Sequence, residues 1–248
     1  MAGHNKWSQI KRKKGVSDAR RSKLFTKILK EIAIATKIGG PDPDGNPRLR
    51  MGILAARQAN MPKDNIERAI KKGAGIDADN FIEVTYEGYA PGGVAIFVEC
   101  TTDNHTRTVQ NVRSYFTKVG GTLGTNGSLQ FIFSRKGIFT FPEPANFNEE
   151  EFTLDMIDAG ADDVEIDDGY VTVVCQLETF GAVSHKLQKL HIEPESGDLQ
   201  RIAQSFAKVD DEQLKKVMKL IDLLEDDDDI QKVYHNLELS QQQLEMVD

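Results

Sequence analysis

The chain has 248 residues, of which 39% are hydrophobic and 28% are charged. This is the composition of a globular protein, and the length accommodates two or three domains with hydrophobic cores. No run of about 18 apolar residues occurs, so the sequence predicts no transmembrane helix and no membrane partner. The two cysteines, Cys100 and Cys175, lie in apolar runs. Such positions favour buried thiols in a reducing, cytoplasmic compartment over a disulfide.

The net charge of −8 conceals a strong division along the chain. Residues 1–75 contain 18 Lys and Arg against 6 Asp and Glu, a net charge of +12. The rest of the chain contains 13 basic and 33 acidic residues, a net charge of −20. This asymmetry indicates a basic end that binds a polyanion and an acidic body that repels nucleic acid. The alternative is that the two oppositely charged parts attract each other within one molecule.

The opening segment, MAGHNKWSQIKRKKG, does not have the pattern of a targeting peptide. A secretory signal needs an apolar core of about 7–15 residues after its basic start, and none follows here. The segment continues instead into a predicted structural helix, which also argues against a detachable mitochondrial presequence. We therefore expect a flexible arm that binds nucleic acid. Its tryptophan, Trp7, can either stack on an unpaired base or hold the arm against the helices.

Three helices are predicted in the basic end, each with one apolar stripe, and they form a small bundle. The first spans residues 22–38. The second has Asn46 as its N-cap and Pro47 at its first helical position. The third begins at Pro62 and ends at Gly73.

Strands and helices alternate after residue 80, which predicts an α+β fold. The N-terminal three-helix bundle is followed by two α/β domains with a ferredoxin-like layout, one inserted in the other. The first of these domains contains the strands FIEVTYEGY, GVAIFVECT and SLQFIFS, and resumes with the helix DDEQLKKVMKLIDLLED. The inserted domain has the order β-α-β-β-α-β, with a hairpin turn at residues 167–169. The predicted domains are 1–75, 80–135 with 208–240, and 136–207.

The residues typical of an enzyme are missing from the sequence. The five histidines lack zinc-site spacing, and no GxxxxGK[ST] phosphate loop occurs. The glycine-rich GTLGTNGS can clamp a phosphate through its amides, but it is more simply a turn. The acidic run EDDDD at 225–229 lacks the spacing of a calcium loop and reads as a solvated helix end. We therefore expect no catalytic residues, no metal, no cofactor and no small-molecule substrate.

Two charged features have no explanation in the sequence alone. The carboxylates of residues 225–229 oppose the dipole of the helix that they end. Arg107 lies in the first turn of a helix, where its charge is also unfavourable. It forms either a salt bridge to an acid such as Glu99 or a contact with phosphate.

The cations of the basic end are the predicted nucleic-acid-binding residues. Neutralising several phosphates makes binding fall steeply with salt. The short link between the second and third helices resembles a helix-turn-helix only weakly, and a basic helical bundle suits structured RNA as well as DNA. The candidate residues are Lys6, Trp7, Lys11, Arg12, Lys13, Lys14, Arg20, Arg21, Lys23, Lys27, Arg48, Arg50, Arg68 and Lys72.

Several blocks of sequence resemble the YebC family, also called the YebC/PmpR family. They are MAGHNKW, LFTKILKEI, NPRLR, MPKDNIERAIKKG, YEGYAPGGVAIFVEC, TTDNHTRT, GGTLGTNGS and LIDLLEDDDDIQKVYHN. These blocks lie along the whole chain, although residues 143–210 match mainly in layout. Asn5 stands where serine is commoner in the opening motif.

The resemblance implies a helical N-terminal domain, two α/β domains and no catalytic residues. It also implies a cytosolic bacterial regulator of transcription that binds promoter DNA. Other members, including a mitochondrial activator of translation, imply a ribosome-associated factor that eases synthesis of proline-rich stretches.

We therefore predict a non-enzymatic, nucleic-acid-binding regulator of gene expression, with promoter DNA or ribosomal RNA as its partner. The rival classes are an enzyme or small-molecule sensor that uses a cleft between the three domains, and a purely protein-binding adaptor.

Overall fold

The computed structural model describes residues 18–75, 81–145 and 147–247. Within these ranges the helices are α1 (Asp18–Gly39), α2 (Pro47–Gln58), α3 (Lys63–Ala74), α4 (His105–Lys118), α5 (Glu149–Asp158), α6 (Phe180–Lys189), α7 (Asp211–Glu225) and α8 (Gln241–Val247). The strands there are β1 (Ile82–Ala90), β2 (Val94–Thr102), β3 (Thr122–Leu123), β4 (Phe133–Pro142), β5 (Ala161–Asp167), β6 (Tyr170–Cys175), β7 (Ser196–Ala203), β8 (Ala207–Lys208), β9 (Ile230–His235) and β10 (Leu237–Glu238). The predicted combination of N-terminal helices with α/β elements is confirmed. In the described ranges, no helix has both the length and the apolar character needed to cross a bilayer.

The described residues form two compact units. The first contains 18–31, 81–134 and 202–247, and the second contains 32–75, 135–145 and 147–201. The division falls inside α1, whose two halves belong to different units. The three-domain division drawn from the sequence stays a prediction. In the predicted domains and in the two units alike, residues 136–201 lie in the sequence between two parts of another domain or unit.

The first unit is built on a four-stranded sheet in the order β3-β1-β2-β9. Strands β1 and β2 form an antiparallel hairpin that is paired from Ile82 with Thr102 to Ala90 with Val94. Alternate residues of β2 face opposite sides of the sheet. One set packs with α4 and α7 in the larger core: Ile96, Val98 and Cys100. The other set, Ala95 and Phe97, packs with Leu129 and Phe133 in a smaller core.

The prediction of a strand at SLQFIFS is wrong. Residues 126–132 form turns, β4 begins only at Phe133, and the short strand β3 pairs with β1. The cause is Glu87, whose buried carboxylate accepts hydrogen bonds from Gly127 N at 2.8 Å, Leu129 N at 2.6 Å and Ser128 Oγ at 3.3 Å. Backbone amides that donate to a carboxylate are not available to a neighbouring strand. The same contacts occupy the amide of Gly127 and the hydroxyl of Ser128 in the glycine-rich loop that the sequence offered as a phosphate clamp.

The second unit contains nearly all of the elements from β4 to β7, and the predicted β-α-β-β-α-β order is confirmed. Its sheet has the strand order β5-β6-β4-β7, and β4 and β5 pair antiparallel with β6. The predicted hairpin turn is also confirmed, with positive φ at Asp168 and Gly169. The core of this sheet is formed mainly by Phe139, Phe141, Phe152, Met156, Val173, Val183 and Leu187.

The C-terminal half of α1 packs with α2 and α3 in the second unit. Asn46 is the N-cap of α2, as predicted, because its side chain accepts a hydrogen bond from Leu49 N. Its Nδ2 donates to the carbonyl oxygen of Ala35 at 2.8 Å, which fixes α2 against α1. Helix α1 begins at Asp18, four residues before the predicted start, and α3 follows Pro62 closely as predicted.

Both cysteines are free thiols, and both are buried, which confirms the prediction of thiols over a disulfide. Burial raises the pKa of Cys175 to about 11 and that of Cys100 well above its ordinary value. Neither group is therefore a thiolate near neutral pH.

The close approach of α3 to α1 makes Gly73 sensitive to substitution. A Cβ atom at this position would overlap the carbonyl oxygen of Ala33 and lie 2.8 Å from Thr36 Cβ. Gly73→Ala is expected to destabilise the protein by about 1–3 kcal/mol through overpacking. Gly181→Ala, in α6, is the matched control because nothing lies within 4 Å of its added Cβ. The control should leave the thermal unfolding midpoint unchanged or raise it, and an equal loss in both variants would contradict the expectation.

Candidate nucleic-acid interface and the acid turn

Three lysines on α1 lie against the turn that follows α7. Lys23, Lys27 and Lys30 are spaced i, i+4, i+7, so they share one face of the helix. The turn, residues 225–229, is called here the acid turn. Lys23 Nζ lies 2.9 Å from Asp226 Oδ1 in a partly exposed ion pair. The predicted alternative, an attraction between the basic end and the acidic body, therefore occurs within the first unit.

Two of these lysines bind carbonyl groups at, and just after, the C-terminal end of α7. Lys27 Nζ donates to the carbonyl oxygen of Glu225 at 2.7 Å, and Lys30 Nζ donates to that of Asp228 at 2.8 Å. The last carbonyls of a helix have no intrahelical partner and carry the negative end of the helix dipole, which cations stabilise. The lysines thus offset the unfavourable carboxylates that the sequence places there.

Asp229 is the most buried member of the acid turn, at 4% exposure. Its Oδ1 accepts a hydrogen bond from Lys30 Nζ at 2.9 Å. Its Oδ2 accepts from Arg107 Nη2 at 2.6 Å and Nε at 3.2 Å, and from the hydroxyls of Thr108 at 3.0 Å and Thr102 at 3.2 Å. This carboxylate therefore joins α1, the end of β2 and the start of α4.

The contacts of Asp229 keep its carboxyl group ionised. Burial alone would raise the pKa of Asp229, but hydrogen bonds from Arg107, Lys30 and Thr108 lower it by more. The hydrogen bonds from Arg107 to Asp229 and Asp103 raise the pKa of the guanidinium. The salt-bridge interpretation of Arg107 is therefore confirmed, although its partners are Asp229 and Asp103 and not Glu99.

A second carboxylate of the acid turn binds α4. Asp227 Oδ2 accepts hydrogen bonds from the Tyr115 hydroxyl at 2.9 Å and from Asn111 Nδ2 at 3.1 Å. Burial, with the nearby Asp227, raises the pKa of Tyr115 to about 12. The acid turn is thus a packed element with specific partners. In the described ranges, no group of three or more His, Cys, Asp or Glu is placed to hold a metal ion.

The predicted nucleic-acid-binding residues of the N-terminal arm lie outside the described residues: Lys6, Trp7, Lys11, Arg12, Lys13 and Lys14. Arg20 lies in α1. Arg21 is exposed, with its guanidinium 5.7 Å from the centre of the Phe25 ring. Lys23 and Lys27 contact the acid turn, as described above. The structure therefore brings two of the predicted residues together with acidic partners of the same chain.

The remaining predicted residues belong to the second unit. Arg50 donates to the carbonyl oxygens of Pro43 and Asp44 and so fixes the loop before α2. Arg48 is half-buried, whereas Arg68 and Lys72 are exposed on α3. Lys71, which is not among the predicted residues, is also exposed, and its position three residues after Arg68 places it on the same face. The opposite face of α3 is buried through Ile66, Ala69 and Gly73.

Two family models match the chain. The model described as the TACO1/YebC protein N-terminal domain matches residues 5–76. The model described as the TACO1/YebC second and third domain matches residues 81–237.

Relatives that match over nearly their whole length share one name, "Probable transcriptional regulatory protein". The relative from Amoebophilus asiaticus is 52% identical over 239 residues, covering 96% of this chain and 98% of the relative. The relative from Geotalea uraniireducens is 47% identical, with 99% of each chain covered. The relative from Geobacillus thermodenitrificans is 48% identical, with 97% and 98% covered.

A crystal structure of a conserved hypothetical protein from Aquifex aeolicus has the same fold. It is 44% identical, has a TM-score of 0.80, and covers 90% of this chain and 93% of its own.

The Asp229 contacts predict a large effect of a small substitution. Asp229→Asn removes the charge that Lys30 and Arg107 share, and should lower the free energy of unfolding by about 2–4 kcal/mol. This expected loss is somewhat smaller than the loss from breaking a fully buried ion pair, because Arg107 is partly exposed. Asp228→Asn is the control, since Lys30 contacts only its backbone carbonyl, and it should cost at most about 0.5 kcal/mol. Urea unfolding measures both, and similar losses would contradict the role given to Asp229.

The lowered pKa of Asp229 also predicts a pH dependence. Between the folded value and the unfolded value of about 3.9, only the unfolded chain binds this proton, so stability falls as the pH decreases. The contribution of Asp229 should be complete above about pH 5 and lost progressively below about pH 4. Urea unfolding between pH 3 and 7 should show the free-energy gap between wild type and Asp229→Asn narrowing in acid. A gap independent of pH would show that the carboxylate has no lowered pKa.

Proposed function

Because the chain belongs to the TACO1/YebC family, we propose that it is a non-enzymatic regulator of gene expression that binds nucleic acid through its basic N-terminal domain. The observation that carries this proposal is the charge division, +12 in residues 1–75 and −20 in the rest of the chain. A basic region on an acidic body confines a polyanion to one part of the surface. The names of the relatives support a role in regulating transcription.

The cations of residues 6–21 provide the first part of the proposed phosphate contact. Lys23 and Lys27 already bind the acid turn in the free protein, so they contact phosphate only where it replaces the Asp226 carboxylate and the Glu225 carbonyl oxygen. The pair of Lys23 with Asp226 suits such an exchange because it is partly exposed and therefore weak. The residues proposed for the first part are Lys6, Lys11, Arg12, Lys13, Lys14, Arg20 and Arg21.

The exposed face of α3 provides the second part. Arg68, Lys71 and Lys72 lie there at i, i+3 and i+4, opposite the buried stripe. The link from α2 to α3 is short, with positive φ at Asn60 and a buried Met61. This arrangement is compatible with α3 entering a DNA groove, and we propose promoter DNA as the partner. Arg50 contributes by fixing the loop before α2, since it binds loop carbonyls, and Arg48 is kept as a proposed phosphate contact.

The alternative is a translation factor whose same cations contact ribosomal RNA, on the ribosome, to ease synthesis of proline-rich stretches. The observation that favours it is Trp7, the only tryptophan, which stands beside Lys6 in the basic arm. An aromatic ring in a basic segment suits stacking on an unpaired base, which structured RNA offers and duplex DNA does not. In either form we propose a cytoplasmic protein that requires no cofactor.

We retain the three-domain division as part of this proposal. The family descriptions separate an N-terminal domain at residues 5–76 from the second and third domains at 81–237. The basic charge ends near the same boundary, so the nucleic-acid contact and the N-terminal domain coincide.

The salt dependence of binding tests this proposal. Each phosphate contact that is lost should reduce the slope of log affinity against log salt by about 0.9 on duplex DNA. Replacing Lys11, Arg12, Lys13 and Lys14 by alanine should therefore reduce the slope by about 3–4. Replacing Arg68, Lys71 and Lys72 should reduce it by about 2–3. Fluorescence anisotropy with labelled duplex DNA and with a labelled RNA hairpin measures both.

The control removes two exposed cations of α7, in Lys215→Ala/Lys219→Ala. This variant should keep the wild-type slope because no nucleic-acid contact is assigned to α7. If all three variants behave like the wild type, the basic end is not the interface. Preferential loss of affinity for the hairpin would favour the translational form, and preferential loss for the duplex would favour the transcriptional one.

A further inference from the structure

The turn between β3 and β4 exposes an aromatic ring that the folded core does not use. Phe131 is 85% exposed, more than any other large hydrophobic side chain in the described ranges. Leu129 and Phe133, two residues away on either side, are both buried, so buried and exposed side chains alternate at this point. Exposing a phenylalanine forfeits the hydrophobic stabilisation that its burial would provide, which suggests that the ring has a use outside the core.

The turn is held rigidly by a buried carboxylate. Glu87 accepts three hydrogen bonds from residues 127–129, and its own carbonyl oxygen accepts one from Gly124 N at 2.7 Å. Backbone hydrogen bonds from Ile132 N and Phe133 N to Leu129 O close the turn on the other side. A side chain presented on a rigid turn loses little conformational entropy when it binds, so Phe131 is preorganised as a contact.

A second exposed aromatic residue lies on the neighbouring segment. Gln204 N donates to Ile132 O at 2.7 Å, and Gln204 Nε2 donates to Ser134 Oγ at 2.7 Å. These bonds hold the segment that contains Phe206 beside the segment that contains Phe131. Phe206 is 45% exposed. The surface therefore offers two rings from two adjoining segments.

The charge of these segments identifies the ligand that fits them. In a part of the chain with net charge −20, residues 104–134 and 199–209 contain no Asp or Glu. The exposed residues near the two rings in the sequence include the polar Asn126, Ser128, Gln130 and Ser205. Lys208 adds a cation, 79% exposed, whose pairing with Glu238 at 3.6 Å is weak. A protein-docking anchor would be surrounded by further apolar side chains, whereas isolated rings among amides and hydroxyls suit bases.

We propose that Phe131 and Phe206 form a stacking surface for the unpaired bases of single-stranded nucleic acid. The site deepens the proposed function and rests on it, because the basic N-terminal domain supplies the phosphate contacts that hold the polyanion. Its own contribution is selection of unpaired strands, since a ring stacks on a base only where that base is not already paired in a duplex.

The test uses the full chain, with labelled oligouridine RNA, oligothymidine DNA of the same length, and duplex DNA as probes. Phe131→Ala should weaken binding of single strands by about five- to 150-fold. Phe131→Trp should restore it, because the larger ring also stacks. The duplex affinity and the salt slope should stay unchanged, since no phosphate contact is removed. Leu154→Ala is the control, because it removes another large exposed apolar side chain, 64% exposed, on α5.

The outcomes separate this site from the proposed function. An equal loss of affinity for single-stranded RNA and DNA supports stacking that does not depend on the sugar. A loss of affinity for RNA alone supports the site with RNA as its ligand. If wild type and Phe131→Ala bind single strands equally while duplex binding keeps its salt slope, the stacking surface is overturned and Phe131 is assigned to a protein partner. If the wild type binds no nucleic acid at all, the proposed function and this site fall together.

Discussion

The carboxylate of Asp229 accepts hydrogen bonds from Lys30 on α1, from Thr102 at the end of β2, and from Arg107 and Thr108 on α4. A buried charge is unfavourable unless it is paired and fully hydrogen-bonded, so these partners are required wherever the carboxylate is buried. The requirement fixes the position of the acid turn, and with it the N-terminal half of α1. On that half-helix, Lys27 then binds the last carbonyl of α7, and Lys23 and Lys30 bind the acid turn. One acid thereby determines which cations of the basic end are engaged within the protein.

This arrangement divides the basic end into two sets of cations. Lys23, Lys27 and Lys30 offset the acid turn, whereas Arg68 and Lys71 on α3 remain exposed to solvent. Net charge alone therefore overstates the number of cations that can meet a polyanion. The proposed function depends on the exposed set together with the arm. The proposed stacking surface differs from these cations in what it recognises. It would distinguish unpaired from paired strands, whereas the cations bind the phosphates of both.

Local patterns in the sequence were enough to predict most of the fold. The helices followed from the 3.6-residue period, the N-cap at Asn46 from its side chain, and the inserted β-α-β-β-α-β order from the alternation of strands and helices. The strand predicted at SLQFIFS failed because the backbone amides of Gly127, just before it, and Leu129, within it, bind Glu87, about forty residues earlier. The prediction of a solvated helix end at residues 225–229 failed for a similar reason, because the partners of the acid turn are distant in the sequence. Lys23 and Asp226, for example, are 203 residues apart. Side-chain pairs of such separation leave no periodic signal, although the opposite charges of the two segments indicated that they could attract.

The most direct test of nucleic-acid binding through the basic end is made in cells. The protein and its variant with alanine at residues 11–14 would be crosslinked, and all attached DNA and RNA would be sequenced. We expect strong enrichment of specific DNA or RNA segments with the wild type and its loss in the variant. Enriched promoters would establish the transcriptional form, and enriched ribosomal RNA the translational form. Identical profiles for the two proteins would contradict the proposed role of the basic arm.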